Sequence, residues 1–265
     1  MLTFHLMLPI ERRLLASAKN VIDLIIDTMR LILASASPRR AELLAAAGFA
    51  FEVRPADVDE RVRDNELAAD YVCRLASEKS RRAMETIGVS DAPDLHVRRS
   101  SPVHRSEGGK LDGAPDLPVR RSSPLHRSEG GKVGPTYDGL VVLAADTAVV
   151  VDGKILGKPN DDDDARLMLK QLSGRSHEVM TGISLRSAAE EIGAMDTTTV
   201  WFGPLTDLDI AWYVGTREGR DKAGAYAIQG LASRFIPRIS GSYANVVGLP
   251  VALVAELLGR LDGSA

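Results

Sequence analysis

The chain has 265 residues, of which 45% are hydrophobic and 26% charged, and its formal net charge is −3. This length suits one large or two small domains with a packed core, and the apolar fraction excludes an intrinsically disordered chain. The weakly acidic charge argues against general binding to nucleic acid or to an anionic membrane. No apolar run reaches the length of a membrane span, and the single cysteine, Cys73, excludes an intrachain disulfide framework. We therefore expect a globular cytoplasmic protein.

Histidine is also scarce, with five residues in the whole chain. Of these, only His177 falls in a segment whose pattern is typical of a folded core. A Ser-His-Asp triad or a histidine metal site therefore lacks the residues that it needs. Any catalysis must depend on carboxylates, lysines and arginines.

Residues 1–28 form an N-terminal extension with two patterns of its own. An apolar stretch at 2–10 follows no basic segment and precedes no clear cleavage site, which argues against a signal peptide. Apolar residues within 11–28 recur at helical spacing. Because Met29 directly precedes a strong strand pattern, the extension is either an additional helix or lies before the true start of translation.

The first predicted strand, 30–35, leads directly into a predicted helix at 38–47. Ser37 is placed to cap this helix and Pro38 to occupy its first turn. Hydroxyl groups and free backbone N–H groups at a helix N-terminus favour an anion. Arg39 and Arg40 oppose the helix dipole there unless a negative group neutralises them. The turn is therefore a candidate phosphate site, and the alternative is an ordinary cap with arginines facing solvent.

A group of carboxylates, Asp57, Asp59 and Glu60, follows the second predicted strand at 49–54. Oxygen ligands suit Mg²⁺ or Mn²⁺, which commonly bridge protein carboxylates and substrate phosphates. A solvated acidic loop explains the same residues. The predicted helix at 67–84 then carries Lys79, which could reach a polyphosphate or simply be solvated.

A near-identical duplication occupies residues 92–135. Residues 92–113 return as 114–135 with 17 identities in 22 positions. Two polar copies rich in Pro, Gly and Ser are too few and too hydrophilic for a solenoid, which favours a disordered surface insertion. The two Arg-Arg-Ser-Ser-Pro sequences leave open a nucleic-acid contact or a phosphorylation site.

Asp146 interrupts the most apolar stretch of the chain, a predicted strand at 140–151 that ends in a turn at 152–153. Burying an ionised carboxylate costs on the order of several kcal/mol unless it is paired or holds a metal. Asp146 is therefore a candidate functional residue. The alternative is a hydrogen-bonded carboxylate that fixes a neighbouring loop.

The remaining patterns predict helices at 161–172, 205–214 and 249–261 and strands at 179–186 and 197–202. The acidic run 161–164 is better explained as a helix cap than as a metal site. Lys158 and Lys222 lie beside small or turn residues, and Gln229 lies in a Gly-flanked loop where an amide could bond a base edge. The order of elements predicts an α/β sheet covered by helices, arranged in two lobes.

Taken together, these segments resemble the Maf family of nucleoside triphosphate pyrophosphatases. The matching stretches are 31–40 (LILASASPRR), 144–147 (AADT), 155–159 (ILGKP), 172–177 (LSGRSH), 221–230 (DKAGAYAIQG) and 242–250 (SYANVVGLP). Without 1–28 and 92–135 the chain retains 193 residues, about the size of a family member. The resemblance covers 29–91 and 136–265, and predicts one pyrophosphatase domain at 29–265 that 92–135 interrupts.

The resemblance implies an α/β fold with a mixed sheet flanked by helices and a central cleft, in one domain of two lobes. It also implies hydrolysis of a nucleoside triphosphate to the monophosphate and pyrophosphate with a divalent cation. The family's proton acceptor falls on Asp146, and its specificity positions fall on Arg39, Thr147 and Gln229. Ser37, Arg39 and Arg40 would hold the phosphate chain while Lys79, Lys158 and Lys222 offset its charge. Asp146 and Asp59 would hold Mg²⁺ or Mn²⁺.

The sequence of the last loop resembles the branch of the family that acts on dTTP and UTP. A 7-methyl-GTP pyrophosphatase and a nucleotide-binding regulator of cell division stay open as alternatives. A homodimer is compatible with the family, and neither a nucleic acid nor a membrane is expected as a partner. The insertion is tolerable because the cost of loop closure rises only logarithmically with length, here on the order of 1–2 kcal/mol.

Overall fold

A computed structural model of the protein describes residues 29–87, 97–99 and 139–261. The helix expected within 1–28 lies outside the described residues. So does nearly all of the duplicated segment 92–135, apart from a short strand at 97–99. The interpretations of these two segments therefore stay predictions. None of the helices in the described ranges is long and apolar enough to cross a membrane.

Strands and helices alternate along the described chain in the predicted order. The strands are β1 (Arg30–Leu33), β2 (Glu52–Val53), β3 (Val97–Arg99), β4 (Leu140–Val151), β5 (Lys154–Leu156), β6 (Ser176–Arg186), β7 (Glu191–Trp201) and β8 (Arg238–Ser240). The helices are α1 (Pro38–Ala46), α2 (Ala68–Thr86), α3 (Asp162–Leu172), α4 (Asp207–Gly215), α5 (Tyr243–Val247) and α6 (Val251–Leu261), with 3₁₀ turns at Ala223–Ala225 and Leu231–Phe235. The short elements β5, β8 and α5 were not predicted, because three to five residues carry too little periodicity.

The predicted mixed sheet is confirmed. Its strand order is β2-β1-β4-β6-β7-β3, with β5 paired to β4 and β8 paired to β7. The strands β2, β1 and β4 are mutually parallel, whereas β4, β6 and β7 form an antiparallel meander. The polar first half of β7 extends six residues before its predicted start because it pairs with β6 along its whole length.

Both faces of β4 are buried, and successive side chains point to opposite faces. Val142 and Val150 pack against α2 on one face. On the other face, Leu143 packs in a hydrophobic cluster with α1 and α6, and Val149 packs in a second cluster with α3. The second face thus carries two separate clusters, and Asp146 and Thr147 lie between Leu143 and Val149 along the strand.

One edge of β4 is left open at this point. The β1–β4 ladder ends at Leu33 and Leu143, after which Ala34 donates its N–H to the Leu143 carbonyl oxygen at 2.8 Å and the chain turns into α1. On the same edge, β5 begins to pair only at Val149. Between these ladders no described strand pairs with that edge, whereas β6 pairs with the opposite edge throughout. The gap exposes the middle of a buried strand.

Candidate active site

A cleft of about 580 Å³ opens at the gap beside β4. Its walls come from the β1–α1 turn, the middle of β4, the segment after β5, the 221–229 loop and the turn between α5 and α6. The cleft brings together nine of the ten residues that the sequence predicted for the site, namely Ser37, Arg39, Arg40, Lys79, Asp146, Thr147, Lys158, Lys222 and Gln229. Asp59 does not line it.

A buried lysine joins two carboxylates on the floor of the cleft. Lys79 Nζ donates to Asp146 Oδ1 at 2.7 Å and lies 2.6 Å from Glu60 Oε1. Lys79 and Asp146 are 7% and 8% exposed. Burial raises the pKa of Glu60, but the hydrogen bond from Lys79 and nearby positive charges outweigh it and hold the pKa below its ordinary value. The ammonium group therefore favours the ionised form of Glu60 in a partly buried position.

A second buried network fixes α2 on the sheet beside Lys79. The hydroxyl of Ser80 lies 2.7 Å from that of Ser184 on β6 and accepts a hydrogen bond from Arg186 Nε at 3.1 Å. Arg186 in turn pairs with the buried Glu191 of β7. These contacts set the position of the helix along the sheet, and thereby place Lys79 over Asp146.

Gly182 allows α2 to approach the sheet this closely. It pairs directly with Asp146 across the β4–β6 ladder. A Cβ atom at this position would overlap the backbone carbonyl group of Val72. A side chain there would push α2 away from the sheet, and Lys79 with it.

The structure places Asp59 outside the cleft. Asp146 and Asp59 were expected to hold the metal together. The Asp59 carboxylate faces away from the cleft and accepts hydrogen bonds from the backbone N–H and the guanidinium group of Arg61. These bonds lower the pKa of Asp59 to about 2. The neighbouring Glu60 lies in the cleft instead. Successive side chains of an extended segment point in opposite directions, so only one of two adjacent acids can face the cleft.

The N-terminus of α1 is open towards the cleft. Ser37 is the capping residue, as predicted, but its side chain makes no capping hydrogen bond. Ser35 is buried, and its hydroxyl oxygen accepts the backbone N–H of Ser37 at 3.2 Å. The first turn contains no acidic residue. Free amide groups, a positive helix end and an unengaged hydroxyl suit an anion such as a phosphate group.

Arg40 points into the protein, which differs from the role expected for it. Its guanidinium group donates to the carbonyl oxygens of Ala145 at 2.7 Å and Gly248 at 2.8 Å, to Ser35 Oγ at 3.2 Å and to Thr147 Oγ1 at 3.0 Å. Four of its five N–H groups are thus engaged, and one remains for a ligand. Arg40 joins α1, β4 and the α5–α6 turn into one frame around the cleft.

Thr147 belongs to the same frame. Besides the bond from Arg40, its hydroxyl group lies 3.0 Å from that of Thr181 on β6 and 3.4 Å from the carbonyl oxygen of Gly248. Thr181 donates in turn to the carbonyl oxygen of the buried Asn245 at 3.2 Å. The hydroxyl of Thr147 is engaged within the protein, so its methyl group remains as the part of the side chain that can face a ligand.

Three other cations are arranged around the mouth of the cleft. Arg39 and Lys222 both pair with the exposed Asp221, the former at 3.7 Å. Lys158 is exposed, as is Gln229 in the wall formed by the 221–229 loop. A polyanion entering the cleft would meet these cations before the buried Lys79.

Sequence reasoning missed the partner of His177. Its Nε2 atom lies 2.7 Å from the hydroxyl group of Tyr226, a residue that lines the cleft. Burial lowers the pKa of His177 to about 4, so this histidine is neutral near pH 7. His177, Tyr226 and Phe202 form an edge-to-face aromatic cluster behind the cleft wall. The one signal in the sequence was that His177 is the sole histidine of the predicted core.

The amino-acid sequence is similar to those of known proteins over most of the chain. The family model described as Maf-like protein matches residues 30–261. The chain belongs to the Maf family. The dTTP/UTP pyrophosphatases of Anaeromyxobacter dehalogenans and Methylobacillus flagellatus are 43% and 42% identical to it, over 87% and 88% of this chain and 93% of each relative. The dTTP/UTP pyrophosphatase of Vibrio vulnificus is 36% identical over 86% of this chain and 97% of its own length.

Proposed function

We propose that this Maf protein hydrolyses dTTP and UTP between the α and β phosphates, giving the monophosphate and pyrophosphate. The observation that carries the proposal is the joining of Asp146, Lys79 and Glu60 in the same cleft as the open N-terminus of α1. The names of the relatives, each a dTTP/UTP pyrophosphatase, support the same substrates.

The phosphate chain would lie between the N-terminus of α1 and the cations of the cleft mouth. The first backbone amides of α1 and the hydroxyl of Ser37 offer donors to phosphate oxygens. Arg39, Lys158 and Lys222 would replace water around the remaining charge, and the phosphates would compete with Asp221 for two of these cations. Arg40 contributes its one remaining N–H and otherwise keeps the frame in place.

Asp146 would orient and deprotonate the attacking water. The carboxylate of Asp146 can accept this proton because it lines the cleft, where its Oδ1 atom lies 2.7 Å from Lys79 Nζ. Glu60, on the other side of the same ammonium group, would share this environment and help to orient the water. Lys79 also faces the negative charge that develops on the phosphates in the transition state.

A divalent cation fits the residues of the cleft in part. The described residues contain no group of three or more potential metal-binding side chains. Asp146 and Glu60 nevertheless supply two carboxylates that meet at one ammonium group, and Mg²⁺ is commonly held by one or two carboxylates together with substrate phosphates. We therefore propose Glu60, in place of Asp59, as the partner of Asp146. The cation would polarise the phosphate oxygens and lower the pKa of the attacking water.

Gln229 would read the base. Its amide group can both donate and accept, which matches the alternating acceptor, donor and acceptor atoms of a uracil or thymine edge. Thr147 would contribute the wall of this subsite through its methyl group, since its hydroxyl is engaged with Arg40.

The test measures pyrophosphate release by the purified protein with Mg²⁺ or Mn²⁺ from UTP, dTTP, CTP, GTP and 7-methyl-GTP. We expect turnover of UTP and dTTP in preference to the others, and a loss of at least about 100-fold in Asp146→Asn. Asp59→Asn removes a carboxylate outside the cleft and is the matched control, with activity expected to stay within about twofold of the wild type.

Four outcomes would contradict the proposal in different ways. A preference for 7-methyl-GTP would retain the chemistry and overturn the role of Gln229. Loss of activity in Asp59→Asn would return that residue to the site. No release from any nucleotide by the folded protein would overturn the function itself, and a cellular effect that survives Asp146→Asn would favour a binding role.

A further inference from the structure

We propose that Glu218 is a positioning residue for base selection, because its carboxylate holds the backbone after Gln229 directly and the backbone before it through the hydroxyl group of Tyr213. The inference rests on the proposed function of Gln229 in the same cleft. Glu218 follows α4 and does not line the cleft, so it would act through the loop that carries Gln229.

Glu218 and Tyr213 together hold three backbone amides of this loop. Glu218 Oε1 accepts the N–H of Leu231 at 2.9 Å, and Oε2 lies 3.4 Å from the nitrogen of Ala232. The hydroxyl group of Tyr213 donates to Glu218 Oε2 at 2.8 Å and accepts the N–H of Ala227 at 3.1 Å. Ala227 and Leu231 lie two residues before and two residues after Gln229. The loop is therefore held at both of its ends by one connected pair of side chains.

The pair is itself held firmly. Tyr213 is 1% exposed and packs in the same hydrophobic cluster as Tyr226 and Ile228. Helix α4, which carries Tyr213, begins with a capping box formed by Thr206 and Asp209. The hydroxyl group that contacts Glu218 thus belongs to a buried ring on a capped helix.

The backbone near Glu218 and Tyr213 adopts conformations that accommodate these two side chains. Gly230 lies so close to Glu218 that a Cβ atom there would overlap the carboxylate. Ala225 and Arg217 adopt left-handed conformations, with φ angles of 58° and 62°, which side chains rarely adopt. Such conformations persist only where the surroundings impose them, and they gather at functional sites.

The direction of the Gln229 amide group depends on the backbone of this loop. Its side chain is exposed and makes no hydrogen bond to any residue within the described ranges. The direction of its amide group is therefore set by the loop alone, and the loop is set by Glu218 and Tyr213. Release of either amide end would let Gln229 turn away from the base without altering Asp146, Lys79 or the N-terminus of α1.

The experiment compares kcat/KM for UTP and CTP, which differ at the base edge that the amide would read. Gln229→Ala is expected to lower the ratio of UTP to CTP by about tenfold. Glu218→Gln is expected to lower the ratio by a similar factor, while kcat with CTP stays within twofold of the wild type. In the double variant the ratio should fall no further than in Gln229→Ala, because both changes remove the same interaction.

Two further variants separate positioning from a general loss of structure. Tyr213→Phe keeps the ring but removes the hydroxyl group that holds both Glu218 and Ala227, so it should lower the same ratio. If Glu218→Gln does not fold, Tyr213→Phe tests the inference in its place. Glu256→Gln removes a carboxylate that pairs with Arg260 on the surface of α6, and should leave the ratio unchanged. Thermal unfolding of each variant confirms that folded proteins are compared.

Several results would overturn the inference. One is a ratio in both Glu218→Gln and Tyr213→Phe that stays within twofold of the wild type while Gln229→Ala lowers it. A second is a double variant whose loss equals the product of the two single losses, and a third is an unchanged ratio in Gln229→Ala. A wild-type protein without activity on any nucleotide removes the proposed function and this inference together. The first two results remove the inference alone, and the third also removes the base-reading role proposed for Gln229.

Discussion

Two groups of cations surround the cleft, and they differ in burial and in the partners of their N–H groups. Lys79 and Arg40 are buried, and their donors are engaged by carboxylates, carbonyl groups and hydroxyl groups of the protein. Arg39, Lys158 and Lys222 stand at the mouth, exposed or paired with the exposed Asp221. Arg39 and Arg40 were expected to hold the phosphate chain, and Lys79, Lys158 and Lys222 to offset its charge.

The difference shows that position along the sequence does not fix the role of a charged side chain. Arg39 and Arg40 are neighbours in the first turn of α1, yet Arg39 pairs with the exposed Asp221 whereas Arg40 is buried and donates to carbonyl oxygens of the protein. A buried cation with several acceptors organises the protein around it, and its removal leaves those acceptors without partners. A cation at the surface remains hydrated and available, and the loss of its charge costs little stability.

The largest effect is expected from Lys79→Met compared with Lys158→Met. Without the ammonium group, Asp146 and Glu60 face each other with no cation between them, and the transition state loses its nearest buried positive charge. We expect kcat for UTP to fall about 100- to 1,000-fold. Lys158→Met should lower kcat/KM only about two- to fivefold, since an exposed charge is screened by solvent. Steady-state kinetics of the two variants measures these losses. Equal losses in the two variants would contradict the division into buried and surface cations.

The next largest effect is expected on the free energy of unfolding, which should respond differently to the loss of Arg40 and of its neighbour Arg39. Arg40→Met leaves the carbonyl oxygens of Ala145 and Gly248 and the hydroxyl of Ser35 without their donor. We expect the free energy of unfolding to fall by about 3 kcal/mol or more. Arg39→Met should cost about 0.5 kcal/mol or less and should instead raise KM for UTP. Urea unfolding at pH 7 measures both changes, and similar losses in the two variants would contradict the division into buried and surface cations.

A smaller effect is expected from His177, a buried basic group that has lost its charge. In the folded protein its pKa lies near 4, below the ordinary 6.5, so between these values the unfolded chain binds the additional proton. Stability should therefore fall as the pH drops from 6.5 towards 4. His177→Gln should remove the part of this loss of stability that protonation of His177 causes, on the order of 3 kcal/mol in the free energy of unfolding. Urea unfolding of both proteins across this range gives the result, and parallel pH profiles would show that His177 is not buried as a neutral group.

The sequence by itself determined the framework of the site. The unbroken apolar run of β4 predicted its bounds without error, because only a strand buried on both faces tolerates such a composition. The single charge within that run marked Asp146. The small and hydroxyl residues between β1 and α1 predicted the open helix N-terminus, which follows from local backbone chemistry. Nine of the ten predicted site residues line one cleft for these reasons.

Only the tertiary structure decided what each of these residues contacts. That Glu60 and not Asp59 faces Lys79, that Arg40 turns inwards, and that Glu218 holds the loop of Gln229 all depend on residues distant in sequence. Local patterns report backbone propensity and burial, which act over a few residues. The direction of a long charged side chain is instead set by the acceptors that other strands and helices bring to it, and those are known only once the sheet and its open edge have formed.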